Sequence, residues 1–220
     1  RRVLPPGVVH CPAAPHGACV APGRREACRE LIPMSSILSI LPPALRERMF
    51  SVPRYLCVFL SSLPPAREPH EREGLEALAD WCRRFTPLAA IDGPDGLVLD
   101  VAGAAHLFGG EAALLALIER KLARHGARAA IADTPEAGWA LARFGPELAR
   151  ERILASGDSK ALMRAVSNLP VAALRIESAI ALALSQTGLK RIGDIALRPR
   201  APITARFGAS VFARLDAMLG

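Results

Sequence analysis

The sequence predicts an α+β unit followed by a small all-α module. Three observations carry that expectation: short apolar runs alternate with helical apolar periodicity, a dense turn signal sits between two of the runs, and short glycine-punctuated helices take over near the C-terminus. Tyr55 to Leu60 is an apolar run of strand length, followed by Pro64, Pro65 and Pro69. From Glu71 to Arg84 the pattern becomes helical, with Leu75, Leu78, Ala79 and Cys82 three and four residues apart and Pro87 as the stop. Leu88 to Ile91 reads as the second strand. Asp92-Gly93-Pro94-Asp95-Gly96 is a turn, and Leu97 to Val101 returns from it. Gly109-Gly110 opens a helix over Glu111 to His125, with Leu114, Leu115, Ile118 and Leu122 on one face and Gly126 as its cap. Arg128 to Ala132 is the fourth strand, and Pro135 opens a helix through Arg143. The order β-α-β-β-α-β is the split βαβ, ferredoxin-like arrangement. Its expected core is Leu56, Val58, Leu75, Leu78, Leu97, Leu99, Leu114, Leu115, Ile118 and Ile131.

After Asn168-Leu169-Pro170 the character changes. Helices are expected at about 177–186, 191–197 and 209–219, joined by turns at Gly188 and Gly208. The expected division is therefore 54–167 for the α+β unit and 168–220 for the helical module. Residues 1–53 are rich in Pro, Gly, Ala and Cys and lack periodicity. They read as a disordered or non-native extension and linker, with Met34 and Met49 as alternative starts.

Composition narrows the function classes. Hydrophobic residues make up 51% and charged residues 22%, which supports a buried core and argues against global disorder. No apolar run approaches the roughly 18 residues of a membrane span, and no secretory signal is visible. The net charge is +7, unevenly spread. Residues 168–220 hold seven basic and three acidic residues, a net +4, whereas residues 54–167 are at −1. Two readings stay open here: a polyanion partner for the C-terminal module, or a solvated arginine-rich surface. The five cysteines, Cys11, Cys19, Cys28, Cys57 and Cys82, form no C-x-x-C pair and no even-numbered framework, in keeping with a reduced cytoplasm. His10, Cys11, His16, Cys19 and Cys28 match no common zinc spacing. No cofactor or metal is expected.

Three stretches carry a likeness to a known family. The first runs from Trp81-Cys82-Arg83-Arg84-Phe85-Thr86-Pro87 through Asp95 to Gly103 and on to His106-Leu107-Phe108-Gly109-Gly110-Glu111. The second is Ala129 to Pro135 with Gly138-Trp139-Ala140. The third is Leu169 to Arg175 with Gly188 to Asp194 and Arg206-Phe207-Gly208. Together they resemble the ImuB-type proteins, polymerase-like members of bacterial mutagenesis cassettes related to the Y-family translesion DNA polymerases. That resemblance implies a polymerase palm over 54–167 and a thumb-like DNA-contacting module over 168–220. It also implies a role in the SOS response to DNA damage.

The resemblance further implies where catalytic residues would fall. Two divalent metals held by carboxylates are needed for nucleotidyl transfer. The first palm strand would supply an Asp, but Tyr55 to Leu60 contains no acid. A Ser-x-Asp-Glu run falls on Gly93-Pro94-Asp95-Gly96, leaving Asp95 as a remnant with Gly96 in place of the catalytic Glu. An Asn-Lys pair that handles the triphosphate falls on Thr134-Pro135. The implied protein is non-catalytic. It binds damaged or primer-template DNA and scaffolds an error-prone polymerase, with a RecA-like accessory protein and the sliding clamp as further partners. The alternatives are a residual nucleotidyltransferase and a non-functional fragment. A fingers subdomain, a little finger and a C-terminal tail are lacking relative to the family, so the chain is either a fragment or a reduced protein. The expected DNA contacts are Gly188, Lys190, Arg191, Gly193 and Arg206, with backbone N–H groups at a helix start facing the phosphate. The Gly-x-Gly hairpin of active thumbs would fall near Leu174 to Glu177 and is absent.

Overall fold

In the computed structural model, residues 53–62 and 69–220 are described. The expectations for residues 1–52 lie outside them. Among the described residues there are four strands, β1 (Tyr55–Leu60), β2 (Ala89–Ile91), β3 (Gly96–Asp100) and β4 (Ala127–Ala132). Eight α-helices accompany them: α1 (Pro69–Cys82), α2 (Glu111–Lys121), α3 (Pro135–Phe144), α4 (Ser159–Ser167), α5 (Ser178–Gln186), α6 (Ile192–Ala196), α7 (Arg200–Phe207) and α8 (Ser210–Leu219). No described helix is long and apolar enough to cross a membrane.

The strands form one antiparallel sheet in the order β2-β3-β1-β4. With α1 between β1 and β2, and α2 between β3 and β4, this is the split βαβ connectivity. Its register opposes Leu56 to Leu99 and to Ile131, and Val58 to Leu97 and to Ala129, so alternate residues of all three strands share one face. That face packs on α1 and α2 through Leu75, Cys82, Leu114, Leu115 and Ile118, all fully buried. Of the expected core only Leu78 is not fully buried.

Trp81, Phe85 and Phe108 belong to the first quoted stretch. They close one end of this core as an edge-to-face chain, with centroids 5.2 and 5.3 Å apart. Their place in the motif is therefore a packing role. Thr86 Oγ1 donates to the Asp100 carbonyl at 2.5 Å and fixes the approach to β2.

The second face of the sheet is covered as well. Cys57, Ala130 and Ala132 point toward α3, whose Gly138 lies against β1. A Cβ at Gly138 would stand 2.7 Å from Cys57 Sγ, so only glycine permits this approach. The remaining helices build a second core on the outer side of α3, from Leu162 and Val166 on α4 to Val211, Leu215 and Met218 on α8.

Two helices differ from expectation. The segment Arg200–Phe207 is α7 although it contains Pro202; in a first helical turn proline removes no needed donor. The helix α4 was not expected and is capped by Asp158, whose carboxylate accepts from the Ala161 N–H at 2.8 Å. Element ends shift by one to four residues elsewhere: the first helix stops at Cys82, and the helix from Glu111 ends at Lys121 with a 3-10 turn over Ala123–His125.

Candidate nucleic-acid interface

Two places carry chemistry. The first is the β2–β3 turn, where sequence reasoning puts the remnant Asp95. Arg175 donates to both oxygens of Asp92, at 2.7 and 3.0 Å. Arg143 on α3 donates to Asp95 Oδ1. Both guanidiniums lie over the Trp139 ring, 4.2 Å (Arg143) and 4.8 Å (Arg175) from its centroid, and Arg143 also lies 4.6 Å from the Phe59 centroid. Burial lowers the Arg143 pKa, partly offset by the neighbouring Asp95. Asp100, the third acid of the neighbourhood, accepts from the Ala102 N–H at 2.9 Å.

These residues do not fit a two-metal centre. Both turn carboxylates already have cationic partners, and β1 offers no acid. Among the described residues no group of three or more His, Cys, Asp or Glu is placed to hold a metal ion. Gly96, the position where the resemblance implies a catalytic Glu, is packed tight. A Cβ there would meet the Asp92 carbonyl oxygen at 2.8 Å and that of Val58 at 3.2 Å. The two cysteines among the described residues, Cys57 and Cys82, are both buried, and burial pushes Cys57 far up and Cys82 up to about 11.

Thr134 caps α3 by accepting from the Ala137 N–H. Its hydroxyl donates to the Met218 carbonyl at 2.8 Å, tying the N-terminus of α3 to the end of α8. Beside it, Asp133 accepts from Arg54 at 2.7 Å and from the Gly157 N–H at 2.7 Å. Arg54 is buried and also holds Glu111 and the Leu154 carbonyl, so it binds the start of β1 to α2 and to the end of β4.

The second place is the turn between α5 and α6. Gly188 has a φ of +86°, which favours glycine and ends α5 sharply. The chain then pairs back: the Val171 N–H donates to the Lys190 carbonyl and the Ile192 N–H to the Leu169 carbonyl, each at 3.0 Å. Lys190, Arg191 and Arg206 are exposed, and Gly193 packs on Ser167. The expected backbone donors are otherwise engaged. The Lys190 and Arg191 N–H groups both donate to Asp194 Oδ2, at 3.1 and 2.9 Å, and α6 is only five residues long. A phosphate here would be met by side chains and not by those two amides. Arg206 stands on α7, remote in sequence from this turn, yet both border one cleft formed by Thr187, Leu189, Arg198, Pro199, Pro202, Ile203, Arg206 and Phe207.

Sequence reasoning missed Arg143, Arg175 and Trp139. Arg175 carries one local signal. It is the one described non-glycine residue at positive φ (+56°), within the Leu174 to Glu177 stretch where the resemblance puts the Gly-x-Gly hairpin. Its partner Asp92 is 83 residues away, which no local pattern shows.

Two strains of Caulobacter vibrioides each hold a Protein ImuB that is 53% identical to this chain over 152 residues. The match covers 68% of the chain. The chain belongs to the ImuB-type proteins. It spans only about a third of the length of these curated relatives, of which 32% is matched. No protein-family model matches the chain.

Proposed function

We propose that this ImuB-type chain serves damage-induced mutagenesis and translesion synthesis as a DNA-holding, non-catalytic relative of the Y-family polymerases. Residues 54–167 act as the palm-like unit and residues 168–220 as the thumb-like one. The observation that carries this reading is the β2–β3 turn: Asp92 and Asp95 are neutralised by Arg175 and Arg143, and no acid stands on β1. Carboxylates held by guanidiniums do not clamp the divalent ions that phosphoryl transfer needs. DNA affinity then falls to Lys190, Arg191 and Arg206 of the net-basic segment 168–220, with Gly188 and Gly193 shaping the turn that presents Lys190 and Arg191. An error-prone polymerase performing synthesis, a RecA-like accessory protein and the sliding clamp are the partners proposed with this role, in the cytoplasm.

Two measurements test it. Primer extension with magnesium or manganese is expected to give no template-directed incorporation; incorporation that disappears on Asp95→Ala favours the rival, a residual nucleotidyltransferase. Titration of primer-template DNA at several salt concentrations gives the phosphate count. Replacing Lys190 and Arg191 with Ala is expected to flatten the salt slope by about two, roughly 0.9 for each lost contact. An unchanged slope removes this turn from the DNA interface.

A further inference from the structure

The cleft between the α5–α6 turn and α7 has a volume of about 320 Å³. Its apolar lining is the buried Leu189 and Ile203, the exposed Pro199 and Pro202 and the half-buried Phe207 ring, with Thr187 beside them. Its rim carries two exposed arginines, Arg198 and Arg206, and no acid lines it. Neither arginine has an ion-pair partner among the described residues. The contrast with Arg200 is informative: it stands between them in sequence and is satisfied by both oxygens of Asp216, at 2.8 and 2.6 Å. The Arg206 guanidinium lies 5.3 Å from the centroid of the Phe207 ring, so cation and aromatic face meet at one wall.

An apolar lining between two unpaired cations fits a flat, weakly polar group flanked by two anions. An unstacked nucleobase between its phosphates has that chemistry, whereas a base inside a duplex does not expose its face. The volume is at the lower end of ligand pockets, about 300–1,000 Å³, and suits one nucleotide. Lys190 and Arg191 directly follow the cleft residue Leu189 and continue the positive track.

We propose that this cleft seats one unstacked base of single-stranded DNA against Phe207, with Arg206 leaving the ring for one adjoining phosphate and Arg198 on the other. The proposal rests on the reading that residues 168–220 hold DNA, and adds single-strand selection to it. A single strand running from the Lys190–Arg191 turn into the cleft would be held by backbone contacts first and by one seated base after.

The test uses the full chain and fluorescence anisotropy with three probes: a labelled oligothymidylate, an abasic strand of equal length, and a duplex hairpin. The parent is expected to bind the abasic strand roughly 5- to 150-fold more weakly than oligothymidylate, the range for stacking of one base. Arg198→Ala with Arg206→Ala is expected to lower the single-strand salt slope by about 1.4, at roughly 0.7 for each contact. Phe207→Leu keeps an apolar side chain but removes the aromatic ring, and is expected to remove most of the difference between the oligothymidylate and abasic strands. Arg120→Ala, on α2 outside the cleft, serves as the control and is expected to change none of these.

Equal binding of abasic and oligothymidylate strands by the parent overturns the base seat. Duplex binding that depends on Lys190 and Arg191, with single-strand binding indifferent to the cleft variants, overturns this inference and leaves DNA holding intact. No binding to any probe overturns both. Equal competition by a polyglutamate peptide makes the cleft a general polyanion surface and also overturns the proposal.

Discussion

Arg175 tests the reading of the β2–β3 turn most directly, because one side chain joins two structural arguments. Its pair with Asp92 is bidentate, and the side chains are 27% and 16% exposed. Breaking a buried pair costs about 3–5 kcal/mol through the orphaned charge, and an exposed pair contributes about 0–1 kcal/mol. With burial between these limits, Arg175→Ala is expected to cost about 2–3 kcal/mol. The backbone adds a second effect. At φ +56° an alanine stays in the left-handed region, where a Cβ costs about 1–2 kcal/mol, whereas glycine does not pay it. Arg175→Gly loses the same ion pair and is therefore expected to be about 1 kcal/mol less destabilised than Arg175→Ala. With a urea m-value of about 2 kcal/mol/M for a domain of this size, the midpoints fall by about 1.2 M for Ala and about 0.7 M for Gly. Circular dichroism in urea reads both. A cycle with Asp92→Asn is expected to give a coupling energy of about 1–2 kcal/mol. The reasoning fails if Arg175→Ala moves the midpoint by less than about 0.2 M, or if the glycine variant is the less stable of the two.

Other expectations concern the core and the acid limb. Leu99 is fully buried between the sheet and α1, so Leu99→Ala is expected to cost about 2–5 kcal/mol, read in the same urea titration; an unchanged midpoint would place it outside the core. Asp133 titrates lower than an ordinary carboxylate: burial raises its pKa, but the Gly157 N–H and the Arg54 guanidinium outweigh that. A lowered folded-state pKa means stabilisation that is complete above the unfolded value and lost as pH falls through the folded one. Asp133→Asn is therefore expected to flatten the decline in stability below about pH 4, with little change of slope near neutrality; an unaltered acid limb would remove Asp133 from that linkage.

The sheet was legible because its signals are local. The apolar run from Tyr55 to Leu60 and the Asp92–Gly96 turn each specify an element without reference to the rest of the chain. No helix was expected at α7: proline is compatible with a helix only at its start, and Pro199 and Pro202 stand just before and in the first turn of the helix from Arg200. Leu78 follows the apolar period of α1 and yet is half-exposed, because periodicity assigns a face and not its width. At the candidate sites the sequence supplied the cations Lys190, Arg191 and Arg206. It could not supply the fate of the amides beside them, because that depends on how the Asp194 carboxylate turns back onto the start of its own helix.

The β2–β3 turn shows why a sequence match can mark a position without marking its chemistry. Asp95 looks like one surviving member of a catalytic set. Two carboxylates close together in a half-buried turn need positive charge nearby, and either a divalent ion or a guanidinium can provide it. Here Arg143 and Arg175 provide it, and both stack on Trp139, so the acids are part of the packing of α3 and Arg175 against the sheet. Reinstating a glutamate at Gly96 would not reverse this. Its Cβ would press on the Asp92 and Val58 carbonyl oxygens at 2.8 and 3.2 Å and on the Arg143 guanidinium at 3.2 Å. The backbone contacts cannot yield without moving the turn that positions both aspartates. Loss of the metal centre in this reading is thus a property of the whole turn, set by backbone packing and two arginines, and not of one missing side chain.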